Sequence, residues 1–194
     1  MNNDKFTKIL KEQNFKIEEI KDIFVDNYII NANNNISSLM YNINCENNYA
    51  FVPIDFNNYE LLEKYNIIPR KLNYKHSNSM IITSNGDLKF IVTVPCNIHL
   101  PLNYFLKKLR DYLLNYFDDC RIDYNDIMIN NKKVCGSAFC RINNMDIFMF
   151  QITFTDRINL IKEICIKSVK DVGYIDSSVL SQETLLNEII SWIK

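Results

Sequence analysis

The sequence predicts an α+β domain in which antiparallel strands and helices segregate along the chain. Three observations carry this. Three β-prone runs between Arg121 and Phe154 are separated by paired asparagines, and an Asn-Gly turn at Asn85-Gly86 joins two more. Apolar residues recur at three-and-four spacing over 102–117 and again over 181–193. With 194 residues, 47% of them hydrophobic and 23% charged, the chain has enough length and apolar content for one sizeable core. No repeat, low-complexity linker or charge run divides it, so a single domain over 1–194 is expected.

The elements follow in order. Residues 4–13 carry a short amphipathic helical pattern, while asparagine-rich stretches around 31–35 and 42–48 read as loops. Asn57 is placed to cap a short helix through Tyr59, Leu62, Glu63 and Tyr65 that ends near Asn66, and Ile67-Ile68-Pro69 then runs extended. Met80–Thr83 and Leu88–Val94, joined by Ser84-Asn85-Gly86-Asp87, read as a hairpin. Pro101 suits the first position of a core-facing helix through Leu102, Phe105, Leu106, Leu109, Tyr112, Leu113, Tyr116 and Phe117. Arg121–Ile129, a turn at Asn130-Asn131, Lys132–Arg141, a turn at Asn143-Asn144 and Asp146–Phe154 form an antiparallel meander. A helix over 156–168 and another from Ser181, with Glu183 in its first turn, close the chain.

Composition excludes several functions. The formal net charge is -1, so no global positive field attracts a phosphate backbone and nucleic acid is not an expected partner. No apolar run is long enough to cross a bilayer and the start, MNNDKFTKIL, is polar, so no membrane partner is expected and the protein is expected in the cytoplasm. Gly86, Gly136 and Gly173 are the three glycines, so neither a P-loop nor a dinucleotide GxGxxG can be written. The six cysteines form no CxxC pair, and Cys96 with His99 lacks a second pair of ligands, so no metal site is expected.

The stretch NDIMINNKKVCGSAF, from Asn125 to Phe139, resembles the lysine hairpin of lipoate-protein ligases. Asn125-Asp126, Lys132-Lys133, Gly136, Ser137 and Ala138 stand at that family's spacing, and the likeness runs on through MDIFMFQITFTDRINLIKEIC to Ser181-Gln182-Glu183. Upstream, Ser84–Phe90 is similar to the turn and strand behind the family's active site, so the match covers about 57–194 and leaves 1–56 poorly matched. The resemblance implies a mixed, mostly antiparallel sheet flanked by helices, as in the biotin and lipoate ligases and octanoyltransferases. It also implies ATP, with Mg2+, activating lipoate or a related acid to an acyl-adenylate, and transfer to the lysine of a lipoyl-type carrier domain. Lys133 would be the catalytic cation at the acyl carbonyl and α-phosphate. Asn125, Asp126, Gly136, Ser137 and Ala138 would line the substrate, as would Ser77, Asn78 and Ser79, which stand where the family has three glycines.

Other readings of these residues stay open. Gly136 equally suits a bulge, and Asn125 and Asp126 suit a strand start that satisfies local backbone groups better than a binding role. Octanoyltransferases of the superfamily pair a cysteine nucleophile with the lysine, and Cys120 and Cys135 are the candidates, Cys135 by alternation on the same strand face as Lys133. The exchange of glycines for Ser77-Asn78-Ser79 suits a catalytically inactive relative serving as a binding or structural module. The eleven tyrosines and twelve phenylalanines suit either walls for a chain-like acyl ligand or plain core packing.

Overall fold

The computed structural model describes residues 3–21, 25–43, 48–52, 58–71, 81–83, 86–156, 158–164 and 171–194. In chain order its elements are α1 (Asn3–Lys11), β1 (Lys16–Glu19), α2 (Val25–Asn33), β2 (Ser38–Asn42), β3 (Asn48–Val52), α3 (Tyr59–Lys64), β4 (Ile67–Lys71) and β5 (Ile81–Thr83). They continue as β6 (Leu88–Pro95), α4 (Tyr104–Leu113), β7 (Cys120–Asp123), β8 (Asp126–Ile129), β9 (Lys132–Ile142), β10 (Met145–Ile152), α5 (Ile158–Ile164) and α6 (Gln182–Ser191).

Seven strands form one sheet in the order β1-β2-β6-β10-β9-β8-β7, and β4-β3-β5 form a second of three. The β1–β2 and β3–β4 pairs are parallel and the others antiparallel, so the predicted mixed, mostly antiparallel sheet is what forms. Alternation decides the layers. Phe90, Val92, Phe148, Phe150 and Ile152 face one way and pack on Leu10 of α1, Phe105 and Leu109 of α4, and Leu185 and Ile189 of α6. Phe90 and Phe150 are register partners, and their rings stack 4.6 Å apart. On the other face Met40, Ile91, Met145 and Ile147 pack under Ala32 and Ile29 of α2.

A satisfied buried network pins α2 to that second face. Asn31 Nδ2 donates to Ser38 Oγ at 3.1 Å, Ser38 Oγ and Thr93 Oγ1 share a bond of 2.7 Å, and Thr93 Oγ1 donates to the Ile36 carbonyl. The asparagines at 31–33 are therefore helical rather than a loop, and the turn comes at Asn34 and Asn35.

Several expectations need correcting. Ile81–Thr83 and Leu88–Val94 do not form a hairpin: β5 pairs with β3 in the small sheet, whereas β6 pairs with β2 and β10 in the large one. Gly86, at φ 85, turns the chain between the sheets, donating its N–H to the Ile43 carbonyl and accepting from Gln182 Nε2. The run from Arg121 to Ile129 is two strands, folded back at Tyr124-Asn125. The Asn130-Asn131 turn forms as predicted, both residues at positive φ, the primed geometry that fits strand twist. Asn143, also at positive φ, turns β9 into β10.

Pro101 lies before α4 rather than in its first turn; Asn103 is the N-cap and the helix stops at Leu113, shorter than its apolar pattern. Asn58, not Asn57, precedes α3, and Asn57 lies outside the described residues. Ser181 caps α6 as expected, accepting from the Thr184 N–H. The smaller sheet packs Ala50, Val52 and Ile67 against Leu62 of α3 and Leu160 of α5.

Candidate functional site

Lys133 is placed by a β-bulge. Met128 of β8 pairs with Lys133 and the next register pair is Ile127 with Cys135, so Val134 is one residue too many on β9. The extra residue reverses the alternation. Val134 and Cys135 both turn into the helical core with Ile127, and Lys133 shares its face with Gly136, three residues on, rather than with Cys135. The expectation that Cys135 lies on the Lys133 face is thereby overturned.

Gly136 and Asp126 are register partners, and the Lys133 ammonium reaches between them: Nζ lies 2.8 Å from Asp126 Oδ1. A Cβ on Gly136 would sit 3.3 Å from both Lys133 Cε and Nζ. The missing side chain leaves room for the lysine here, and Gly136 is not itself the bulge: it pairs regularly with Asp126 and Gln151. The Lys133 backbone is clamped on its outer side, its N–H donating to the Asp171 carbonyl at 2.7 Å and its carbonyl accepting from the Gly173 N–H at 2.9 Å. Gly173 permits this contact, since a Cβ there would fall 2.8 Å from Lys132 Cβ.

The remaining hairpin residues gather at the same end of the sheet. Asn125 closes the β7–β8 turn, and its carbonyl accepts from both the N–H and the hydroxyl of Ser137, at 2.9 and 2.7 Å. Ala138 pairs with Met149 one step further along this face and is exposed. Ser77, Asn78 and Ser79 lie outside the described residues.

Register alone extends the site across the sheet. Gly136 pairs with Gln151, Gln151 with Lys89, and Lys89 with Asn42, so these side chains form one row with Asp126 on the face that carries Lys133. Lys89 is 6% exposed and Asn42 and Asp87 are buried. Gln151 Nε2 donates to Asp87 Oδ2 at 3.3 Å, while Asp87 Oδ1 accepts from the Phe154 N–H at 3.1 Å. Sequence reasoning did not single out Lys89, Gln151 or Asp87 as site residues. Their signal was present: Lys89 and Gln151 are the polar interruptions in the apolar runs LKFIVTVP and MDIFMFQI.

Both candidate cysteines are buried, Cys135 more deeply than Cys120. Burial pushes the Cys120 thiol up to about 11 against the pull of Arg110, and burial raises the Cys135 thiol further, Lys133 opposing it only in part. A lowered, reactive thiolate was the basis of the cysteine reading, and burial acts against it at both thiols. Among the described residues no three His, Cys, Asp or Glu side chains gather to hold a metal, and no helix is long and apolar enough to cross a membrane. A separate open cleft of about 580 Å³, lined by Lys5, Phe6, Ile9, Pro95, Asn97 and His99, contains none of the predicted residues.

No family model matches the chain, and no curated protein sequence matches it. Solved structures do. LipL1 of P. falciparum, in complex with lipoate, superposes with a TM-score of 0.69 over 92% of this chain at 15% identity, and this chain spans 60% of its length. The fold is that of the lipoate-protein ligases. Lipoate-protein ligase A bound with ATP gives a TM-score of 0.69 at 15% identity, covering 93% of this chain and 83% of its own. A bi-partite lipoate protein ligase from Thermoplasma acidophilum, described with its E2 lipoyl domain, gives 0.64 at 13% identity, covering 93% and 82%.

Proposed function

We propose that this lipoate-ligase fold activates lipoate or a related carboxylic acid with ATP, as an acyl-adenylate, and transfers the acyl group to the lysine of a lipoyl-type carrier domain in the cytoplasm. The observation that carries the reading is the position of Lys133, whose ammonium lies over the side-chain-free Gly136 at one end of a row of polar side chains. A cation held there meets charge that develops on an acyl carbonyl and an α-phosphate, and a partly buried setting strengthens the contact. Asp126 holds the ammonium in place, and it is 15% exposed against 35% for Lys133, so the pair opens toward a ligand from the lysine side. Mg2+ would enter with ATP, carried by the phosphates rather than by a protein cage.

ATP–pyrophosphate exchange with lipoate, octanoate and biotin, with intact mass spectrometry of the protein, tests the proposal. Exchange that vanishes in Lys133→Ala is expected; no exchange with any of the three acids overturns it. A second reading rests on Ser77-Asn78-Ser79, where the ligases carry glycines: a non-catalytic relative that uses the same sheet for binding. It predicts that Lys133→Ala leaves the biological activity unchanged.

A further inference from the structure

The open cleft of about 580 Å³ lies at the far end of β6 from Lys89, where α1 faces the connection between β6 and α4. Lys5 and Ile9, one turn apart on α1, line one wall, and Asn97, Ile98 and His99 line the other. The packing of α1 fixes the first wall. Leu10 is fully buried, Thr7 Oγ1 and the Tyr104 hydroxyl share a bond of 2.9 Å, and the Phe6 ring meets the Tyr104 ring edge-on at 5.7 Å. Backbone bonds fix the second: the Cys96 N–H donates to the Asn144 carbonyl at 2.8 Å and the His99 N–H to the Cys96 carbonyl at 3.0 Å. The cleft is therefore formed before a ligand enters it.

Its lining divides into an apolar part and a set of donors. Ile9 is half-buried yet belongs to none of the three hydrophobic clusters, and with Pro95 and Ile98 it presents apolar surface to the cleft. The donors are the Lys5 ammonium, the Asn97 amide and the His99 imidazole, and no carboxylate lines the cleft among the described residues. Among those residues, too, none of the three side chains has a hydrogen bond or ion pair of its own. His99 is held at φ 53, uncommon for a residue that carries a side chain. A bare phosphate would leave the apolar surface wet, and a neutral apolar molecule would leave Lys5 without a counter-charge. An anion with an apolar body satisfies both parts, and the volume lies within the range of small-molecule sites.

We propose that this cleft is a second binding site, for a small amphiphilic anion: Lys5 and His99 meet a carboxylate, and Ile9, Pro95 and Ile98 cover its apolar chain. The site is independent of the ligase reading, since α1 packs on the helical face of the large sheet and Lys133 lies on the other. The test titrates octanoate into the isotope-labelled full chain and follows the backbone amides by nuclear magnetic resonance, alongside pyrophosphate exchange on the wild type.

Saturable shifts at residues 5–9 and 96–99 are expected, with the same Kd in Lys133→Ala. That Kd should rise at least fivefold in Lys5→Gln and in His99→Gly, whose glycine suits the positive φ and should leave the melting temperature unchanged. Lys11→Gln, exposed on the same helix but outside the cleft, should stay within twofold. Inorganic phosphate at the same concentrations should move these amides far less, and an equal response to it overturns the proposal in favour of a plain anion site. Octanoate shifts confined to the β8–β9 hairpin overturn the second site and leave the ligase reading standing. Shifts at the cleft without any pyrophosphate exchange uphold the site and remove that reading. Absence of saturation up to millimolar octanoate, or a Kd indifferent to both Lys5 and His99, overturns the site outright.

Discussion

Lys133 Nζ and Asp126 Oδ1 lie 2.8 Å apart, an ion pair closed between neighbouring strands over a glycine. The lysine is a third exposed, and pairs of that kind contribute about 0–1 kcal/mol to stability. Lys133→Ala should therefore fold normally, shifting ΔG of unfolding by about 1 kcal/mol or less in urea melts, while acyl-adenylate formation falls at least a hundredfold. A large loss of stability would make the lysine a structural residue.

Gly136→Ala separates geometry from charge. The added methyl meets only the far end of the Lys133 side chain, which can swing aside, so stability should change by less than about 1 kcal/mol. The ammonium leaves its place over the sheet, and kcat/KM should drop tenfold or more. Activity equal to the wild type would show that the position of the ammonium over residue 136 does not matter.

Gly173→Ala should behave in the opposite way. Its methyl would fall 2.8 Å from Lys132 Cβ, an atom fixed to the backbone, so the 171–175 segment must shift away from β9. Overpacking of this kind costs about 1–3 kcal/mol, read as a lowered midpoint in urea.

Cys120 predicts a dependence on pH. Its folded thiol is pushed up to about 11 by burial, so the native state holds the proton more tightly than the unfolded chain does. The associated stability is fully present below the unfolded value and is lost as pH rises through the window up to about 11. Melting temperature should fall across that window, and fall less in Cys120→Ala. The same burial predicts slow alkylation of Cys120 and Cys135 by iodoacetamide at pH 8 until the protein is unfolded.

Lys89→Met keeps the length of a side chain that is 6% exposed while removing its charge from the row shared with Gln151 and Gly136. If the row contributes to the site, the KM for ATP or for the acid should rise at least fivefold with the far-ultraviolet spectrum unchanged. An unaltered KM confines Lys89 to a structural role.

Local features were legible in the sequence because their causes are local. Asn130-Asn131 forms the β8–β9 turn since asparagine tolerates positive φ, Ser181 caps α6 with its own hydroxyl, and the apolar stripe of α4 faces the core. Elements with weak patterns were not legible: α2 hides among asparagines, and β1 to β3 are only four or five residues long, too short to show a clear alternation.

The sequence by itself determined the α+β class and, through the resemblance of its lysine hairpin, singled out Lys133 and Gly136 as the residues to test. Tertiary structure decided the rest. Ile81–Thr83 joined the smaller sheet because strand partners are chosen by which backbone edges meet, not by the turn between neighbours. One extra residue, Val134, turned Lys133 away from Cys135 and toward Asp126, because side chains alternate with a period of two and a single bulge inverts the faces beyond it. Lys89 and Gln151 became part of that face only when register set their strands side by side.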